Sequence, residues 1–266
     1  SSVNSVRSQS HRMRTLFAKS IVFASKLSFR EDGSMATSRR ERLRAATIDE
    51  IQAAALAQIA VDGGPSLTIR GVARAIGMSP AGLYRYYDGR DALLTDPITD
   101  AYNDLADAVE EATTPFSPAG LAETFAAGVR AYRDWAIGSP NRFLLIFGTP
   151  IPGYAAPEGG PTVAANQRVG QAFFTIAASA VAAGQLEPAG RRPPTPGEQK
   201  FAAEIVDTLP ELSADMVGVL LGTWAHWHGL VALEVTHQFD WIYPQDRDVF
   251  FEGELGRMIR GLGFTG

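Results

Sequence analysis

Leu67-Thr68-Ile69-Arg70-Gly71-Val72-Ala73-Arg74-Ala75-Ile76-Gly77-Met78-Ser79-Pro80-Ala81-Gly82-Leu83-Tyr84-Arg85-Tyr86-Tyr87 is the stretch that decides how the rest of the chain is read. Thr68 is an N-cap residue for a short helix on which Ile69, Val72, Ala73 and Ile76 recur at helical spacing. Gly77 stands where a left-handed residue ends such a helix. Ser79 then caps a second helix, with Pro80 at the first helical position, where its missing N–H is not needed. Two short helices joined across a short glycine-containing turn make a helix-turn-helix.

The second helix has a packing side and a free side. At about 100° per residue, Pro80, Leu83 and Tyr87 share one side and are expected to pack on the first helix. Ala81 and Arg85 point the opposite way, flanked by Gly82 and Tyr84. Small side chains permit close approach to a major groove, arginine reaches guanine edges, and tyrosine hydroxyls reach phosphates. From the turn alone, two readings stay open: groove recognition, and an ordinary helical hairpin with a solvated Arg85.

A resemblance adds to this. The spacing Thr68-x-Arg70-x-Val72-Ala73-x-x-x-Gly77-x-Ser79-x-x-x-Leu83-Tyr84-x-Tyr86-Tyr87, followed by Arg90-Asp91-Ala92-Leu93-Leu94, resembles the DNA-binding domain of the tetracycline-repressor (TetR) family over roughly residues 38 to 95. The resemblance implies contact with double-stranded operator DNA by Thr68, Arg70, Ser79, Pro80, Ala81, Gly82, Tyr84, Arg85 and Tyr86, with Arg90 holding a phosphate. Ala81 and Gly82 offer no side-chain hydrogen bonds, so base reading is left to Arg70, Tyr84, Arg85 and Tyr86.

The net charge of −5 conceals an uneven distribution. Residues 1 to 34 carry six basic and two acidic side chains, and residues 35 to 95 carry eight and six. Residues 96 to 266 carry ten and twenty-one. A basic front and an acidic body fit a protein that offers only its N-terminal part to a polyanion. The arginines at 39, 40, 42 and 44 add a phosphate-facing cluster or, read more plainly, a solvated helix end. The absence of cysteine excludes disulfides, thiolate metal sites and a cysteine nucleophile. No apolar run is read as long enough to span a bilayer, so no membrane partner is expected.

Three regions follow: a Ser- and Arg-rich extension over 1–34, read as disordered, a helix-turn-helix domain over 35–95, and a larger helical-bundle domain over 96–266. No strongly alternating strand pattern occurs, and the chain is expected to be all-α. Ser38 and Glu41 form a capping box that opens a helix to Ala60, with Ile48, Ile51, Ala55 and Ile59 on its buried stripe. A helix from Asp91 to Glu111 leads out of the DNA-binding bundle, and Pro97 is expected to kink or restart it. Further helices are expected from Ser117-Pro118 to Ile137, over Phe143–Phe147, over Thr162–Gly184 and over Glu198–Asp207. Two long helices, about Ser213–His237 and Pro244–Leu262, close the chain.

The helix over 213–237 is apolar nearly all round, with Val217, Leu220, Leu221, Trp224, His228, Val231 and Val235 on one seam and Val219, Leu230 and Leu233 opposite. Burial on both sides implies a partner, most simply a second copy. Phe143-Leu-Leu-Ile-Phe-Gly-Thr-Pro-Ile-Pro-Gly-Tyr154, with Trp227-His228-Gly229, resembles the C-terminal domain of a TetR subfamily named for that Trp-His-Gly. The resemblance implies a four-helix homodimer interface from the last two helices, here through Leu230, Leu233, Phe251, Leu255, Met258 and Leu262. It also implies a pocket for an effector.

The expected pocket wall is aromatic: Phe125, Tyr132, Trp135, Phe143, Phe147, Tyr154, Phe173, Phe174, Trp224 and Trp227, with His228 as a polar contact. Taken singly, each of these is as readily plain core. His226 and His228 diverge by about 200° on a helix and cannot share an ion from one face, so no metal is expected. No nucleophile elbow, phosphate loop or paired carboxylate points to catalysis, and no cofactor is expected. The reading is a homodimeric, cytoplasmic bacterial regulator, a repressor released by a hydrophobic small molecule. Two alternatives stand beside it: a constitutive DNA-binding dimer, and an all-helical enzyme in the C-terminal domain.

Overall fold

The computed structural model describes residues 39–62, 66–114, 120–187, 193–241 and 246–265. Among them run ten helices: α1 (Arg39–Asp62), α2 (Ile69–Ala75), α3 (Pro80–Leu83), α4 (Arg90–Thr113), α5 (Leu121–Gly138), α6 (Pro140–Phe147), α7 (Pro161–Ala182), α8 (Pro196–Thr208), α9 (Ala214–Val235) and α10 (Arg247–Leu262). The described residues contain no strand, only an isolated antiparallel bridge between Leu186 and Phe264. By contacts, residues 47–266 form one compact unit, and the described residues before it are the opening turns of α1. The expected extension, the Ser38 cap and the Ser117-Pro118 cap lie outside the described residues.

Local rules build the helix-turn-helix. The Thr68 hydroxyl accepts from the Gly71 N–H at 3.0 Å, and Ser79 Oγ accepts from the Gly82 N–H at 3.0 Å. Gly77 has φ +68°, and the Met78 N–H returns to the Ala73 carbonyl at 2.8 Å, which closes α2 in a left-handed C-terminal turn. Gly71 leaves room for two side chains: a Cβ there would sit 2.7 Å from Gln58 Nε2 and 2.9 Å from the capping Thr68 Oγ1, so both would have to shift. Ile51, Ala55 and Ile59 of α1 pack with Leu67, Ile69, Val72, Leu83, Tyr87, Leu93, Leu94 and Ile98 in one cluster. Pro80, expected on the packing side, is exposed, because α3 lasts four residues and Leu83 and Tyr87 anchor it. The Tyr87 hydroxyl donates to Asp96 Oδ2 at 2.9 Å; burial, then that carboxylate, hold it protonated far above the ordinary tyrosine range.

A second, larger cluster collects residues of α4, α5, α7, α9 and α10 around Phe125, Tyr132, Phe173, Trp227 and Phe251. α4 serves both clusters, giving Leu93, Leu94 and Ile98 to the first and Leu105, Ala106 and Val109 to the second. It runs as a single helix through Pro97 rather than restarting there. Charged side chains tie the bundle together at its rim. Arg168 of α7 holds Asn103, Asp107 and Glu110 of α4, and Arg142 of α6 pairs with Asp104. Arg133 of α5 is 8% exposed and binds Glu234 of α9 through two hydrogen bonds of 2.7 Å, while also reaching Asp248 of α10 at 2.8 Å.

α9 departs from one expectation, since it is long and apolar enough, by length and composition, to cross a membrane. Its Met216, Val217, Leu220, Trp227, Val231 and Val235 are instead buried in the protein core. α8 starts at Pro196, two residues before the expected Glu198. Thr195 and Glu198 form a reciprocal capping box ahead of it.

Candidate functional site

The free side of the helix-turn-helix carries the residues expected to meet DNA. Thr68 and Arg70 on α2 are exposed, as are Ser79, Ala81, Tyr84 and Arg85 at and after α3. Tyr84 is 57% exposed, a large ring that the protein core does not use. Gly82 and Tyr86 are half-buried. Arg74, exposed on α2 beside Arg70, joins this basic edge; it was overlooked because the motif gives it no fixed role.

Arg90 sits differently from its expected place on a phosphate. Its Nε donates to the Leu67 carbonyl at 2.9 Å, and its Nη1 reaches the Pro152 carbonyl at 3.4 Å. One guanidinium thereby clasps the entrance to the helix-turn-helix and the Pro/Gly loop after α6. The Tyr154 hydroxyl of the same loop lies 3.3 Å from Thr95 Oγ1, which itself donates to the Asp91 carbonyl. Ile151 and Tyr154 pack against the helix-turn-helix cluster, and Leu145 of α6 is buried within it. The sequence shows α4 leading out of the helix-turn-helix bundle; the structure adds α6 and its loop as a second, noncovalent connection.

On the far side of α6, an aromatic cluster surrounds His228. Its ring stacks on Trp224 at 5.0 Å and Phe143 at 5.6 Å, meets Phe147 edge-on at 4.8 Å, and its Nδ1 is hydrogen-bonded to the Tyr132 hydroxyl at 2.7 Å. Burial lowers the imidazole below the ordinary histidine value. His226 instead approaches Glu254 of α10 at 3.7 Å, so the two histidines serve separate surroundings.

Next to this cluster lies a cavity of about 470 Å³ between α5, α7, α8 and α9. Of the expected wall, Phe125, Phe147, Phe173, Trp224 and Trp227 line it. Tyr132, Trp135, Phe143 and His228 do not; Tyr132, Phe143 and His228 form the packed layer behind Phe147 and Trp224, and Trp135 is half-buried against the larger cluster. Phe174 of α7, named with that wall, lines the cavity too and Tyr154 does not, while the remaining lining has no counterpart in the sequence expectation: Asn166, Gln167 and Gln171 from α7, and Phe201, Glu204, Ile205 and Thr208 from α8. Phe201, Ile205 and Leu209 recur every four residues behind the Thr195–Glu198 box, which was the available signal.

The expected dimer residues divide. Phe251, Leu255, Met258 and Leu262 are 3%, 2%, 6% and 1% exposed, buried in their own protomer's core and so withheld from any partner. The apolar stripe of α10 faces inward, toward α5 and α9. Leu233 is exposed and Leu230 half-buried. The outward strip of α9 is Gly222, Ala225, His226 and Leu233, and α10 exposes Val249 and Gly253.

Comparison with known proteins agrees with this geometry. Residues 51–96 match the family model of bacterial regulatory proteins of the tetR family, and residues 125–258 match that of the tetracyclin repressor-like C-terminal domain. The chain is 32% identical, over 77% of its length and 87% of the relative's, to the HTH-type transcriptional regulator Rv1816 of Mycobacterium tuberculosis. It has the same identity and coverage with regulator Mb1846 of Mycobacterium bovis. The crystal structure of regulatory protein SCO4313 superposes with a TM-score of 0.64 at 31% identity, covering 83% of this chain and 98% of that one. A tetR-family regulator from Rhodococcus RHA1, at 15% identity and TM-score 0.57, shares the fold. The chain belongs to the tetR family of transcriptional regulators.

Proposed function

We propose that the protein is a homodimeric repressor that binds a palindromic operator and is released by a hydrophobic small molecule in the bacterial cytoplasm. The observation that carries this reading is the position of Phe147. Its ring lines the 470 Å³ cavity, and it ends α6, whose Leu145 belongs to the helix-turn-helix core. A ligand that pushes on Phe147 therefore pushes on the loop that Arg90 and Thr95 hold. Residues 35–95 take the DNA-binding role, with Arg70, Tyr84 and Arg85 facing the groove, and residues 96–266 take the sensing and pairing role.

Pairing is best served by the outward strip of α9 and α10. Gly222, Gly229 and Gly253 have no atom within 4 Å of where a Cβ would sit, so their own protomer does not demand glycine there. A partner helix approaching closely does. Two helix-turn-helix units related by a two-fold axis then read half-sites about one helical turn, or a multiple of it, apart. Changing their separation costs simultaneous engagement.

Reciprocity provides the test. Operator is selected from random DNA, ligands are found by their effect on the melting temperature, and each ligand's affinity is measured with and without operator. A hundredfold weakening of DNA binding corresponds to about 2.7 kcal/mol of coupling and demands the same factor on the ligand side. Equal ligand affinity in both states, for every ligand that enters the cavity, replaces this reading with a constitutive DNA-binding dimer.

A further inference from the structure

The cavity has a buried aromatic floor and a polar rim whose one ionisable group is acidic. Phe125, Phe173 and Trp227 on the floor are 1%, 6% and 2% exposed, whereas Phe201 and Trp224 at the mouth are 49% and 40% exposed. Amides and a hydroxyl from α7 and α8 complete the rim. Among the described lining residues there is no lysine, arginine or histidine, and the single ionisable group is Glu204. Its carboxylate has no hydrogen-bond or ion-pair partner among the described residues, and Lys200, one turn earlier on α8, does not line the cavity.

These facts discriminate by ligand charge. An anion entering this space leaves water for aromatic walls that offer no cation, and it passes a carboxylate on the way. A cation meets the negative faces of several rings, two of them flanking the mouth, and the Glu204 carboxylate beside them. The remainder of such a ligand buries apolar surface on the floor. We propose that the cavity takes a hydrophobic organic cation, such as an aryl-bearing ammonium or phosphonium, and discriminates against anions of the same shape. This specifies the ligand class for the effector cavity and rests on that reading of it.

The test uses two ions of closely similar size and hydrophobicity, tetraphenylphosphonium and tetraphenylborate, titrated into the full-length dimer with and without its selected operator. Two variants accompany them. Glu204→Gln removes the rim charge at an exposed position. Gly170→Leu fills the cavity from α7, where an added Cβ meets nothing closer than the Phe174 ring at 3.6 Å. The phosphonium is expected to bind at least about tenfold tighter than the borate and to lose about threefold to tenfold in Glu204→Gln. Gly170→Leu is expected to abolish binding.

Equal or tighter binding of the borate, blocked by Gly170→Leu, overturns the charge preference and leaves the sensor reading intact. Phosphonium binding that survives Gly170→Leu lies elsewhere on this acidic domain and overturns the inference. Failure of both ions to bind overturns it as well, while the sensor reading keeps its own ligand screen. Phosphonium binding in the cavity that operator does not weaken upholds the ligand class and removes the regulatory role.

Discussion

Arg90 Nε donates to the Leu67 carbonyl at 2.9 Å, fixing the start of α4 to the residue that precedes the helix-turn-helix. A guanidinium so engaged acts first as a clasp. Arg90→Gln is expected to destabilise the protein by about 1–2 kcal/mol, the cost of a lost charged hydrogen bond to a partly buried carbonyl. The salt dependence of operator binding should stay as in the wild type. A log–log salt slope smaller by about one in the variant would instead return Arg90 to a phosphate. Thermal melts and binding at several ionic strengths measure both quantities.

Arg85 is exposed on the side opposite Leu83 and Tyr87, so Arg85→Ala should leave the melting temperature unchanged. Specific operator affinity is expected to fall by about 1–3 kcal/mol with relaxed preference at one base pair, as for loss of a guanine contact. A uniform loss across sequences marks a phosphate contact. Wild-type affinity in the variant excludes both roles.

Burial depresses the His228 imidazole below the ordinary histidine value of about 6.5. The unfolded chain takes up a proton as pH falls below that value, while the folded chain still resists it. Stability present above about pH 6.5 is therefore lost as pH falls toward the folded value. Urea unfolding between about pH 8 and pH 5 should show a shallower pH dependence in His228→Gln than in the wild type. Identical profiles would mean that the Tyr132–His228 pair does not contribute to acid sensitivity.

Gly222→Glu and Gly229→Glu place charge on the outward strip of α9, where their own protomer leaves open space. Glycine replacement within a helix favours the folded monomer by up to about 1 kcal/mol, so these variants should fold. Light scattering is expected to report monomers with weakened operator binding. An unchanged dimer would move the interface away from this strip.

The parts legible in the sequence were those fixed by near neighbours. Thr68, Gly77, Ser79 and Pro80 announce a helix-turn-helix because caps and left-handed turns are settled within four residues. Orientation within the larger bundle was less accessible. Phe251, Leu255, Met258 and Leu262 form one apolar stripe, and a stripe alone does not say whether it faces its own core or a partner's. Nothing near Arg133 in the sequence marks it as the buried cation that joins α5 to α9 and α10, because its partners Glu234 and Asp248 lie about a hundred residues on. The α8 wall of the cavity escaped notice for the same reason: only packing brings Phe201 and Ile205 opposite Phe173. The aromatic residues stand out in the sequence as a set, yet packing divides them between lining the cavity and backing it.

α4 has a consequence for how the molecule is put together. At about 1.5 Å per residue its 24 residues extend roughly 36 Å, with Leu94 and Ile98 completing one hydrophobic cluster and Leu105 and Val109 the other. Fraying of this helix from either end strips apolar cover from both clusters in turn. The helix-turn-helix and the larger bundle are thus not interchangeable modules, because a graft cut at residue 95 severs Ile98 from the core it completes. Exchange between relatives has to carry the whole of α4, together with the loop that Arg90 grips, as a single inheritable part.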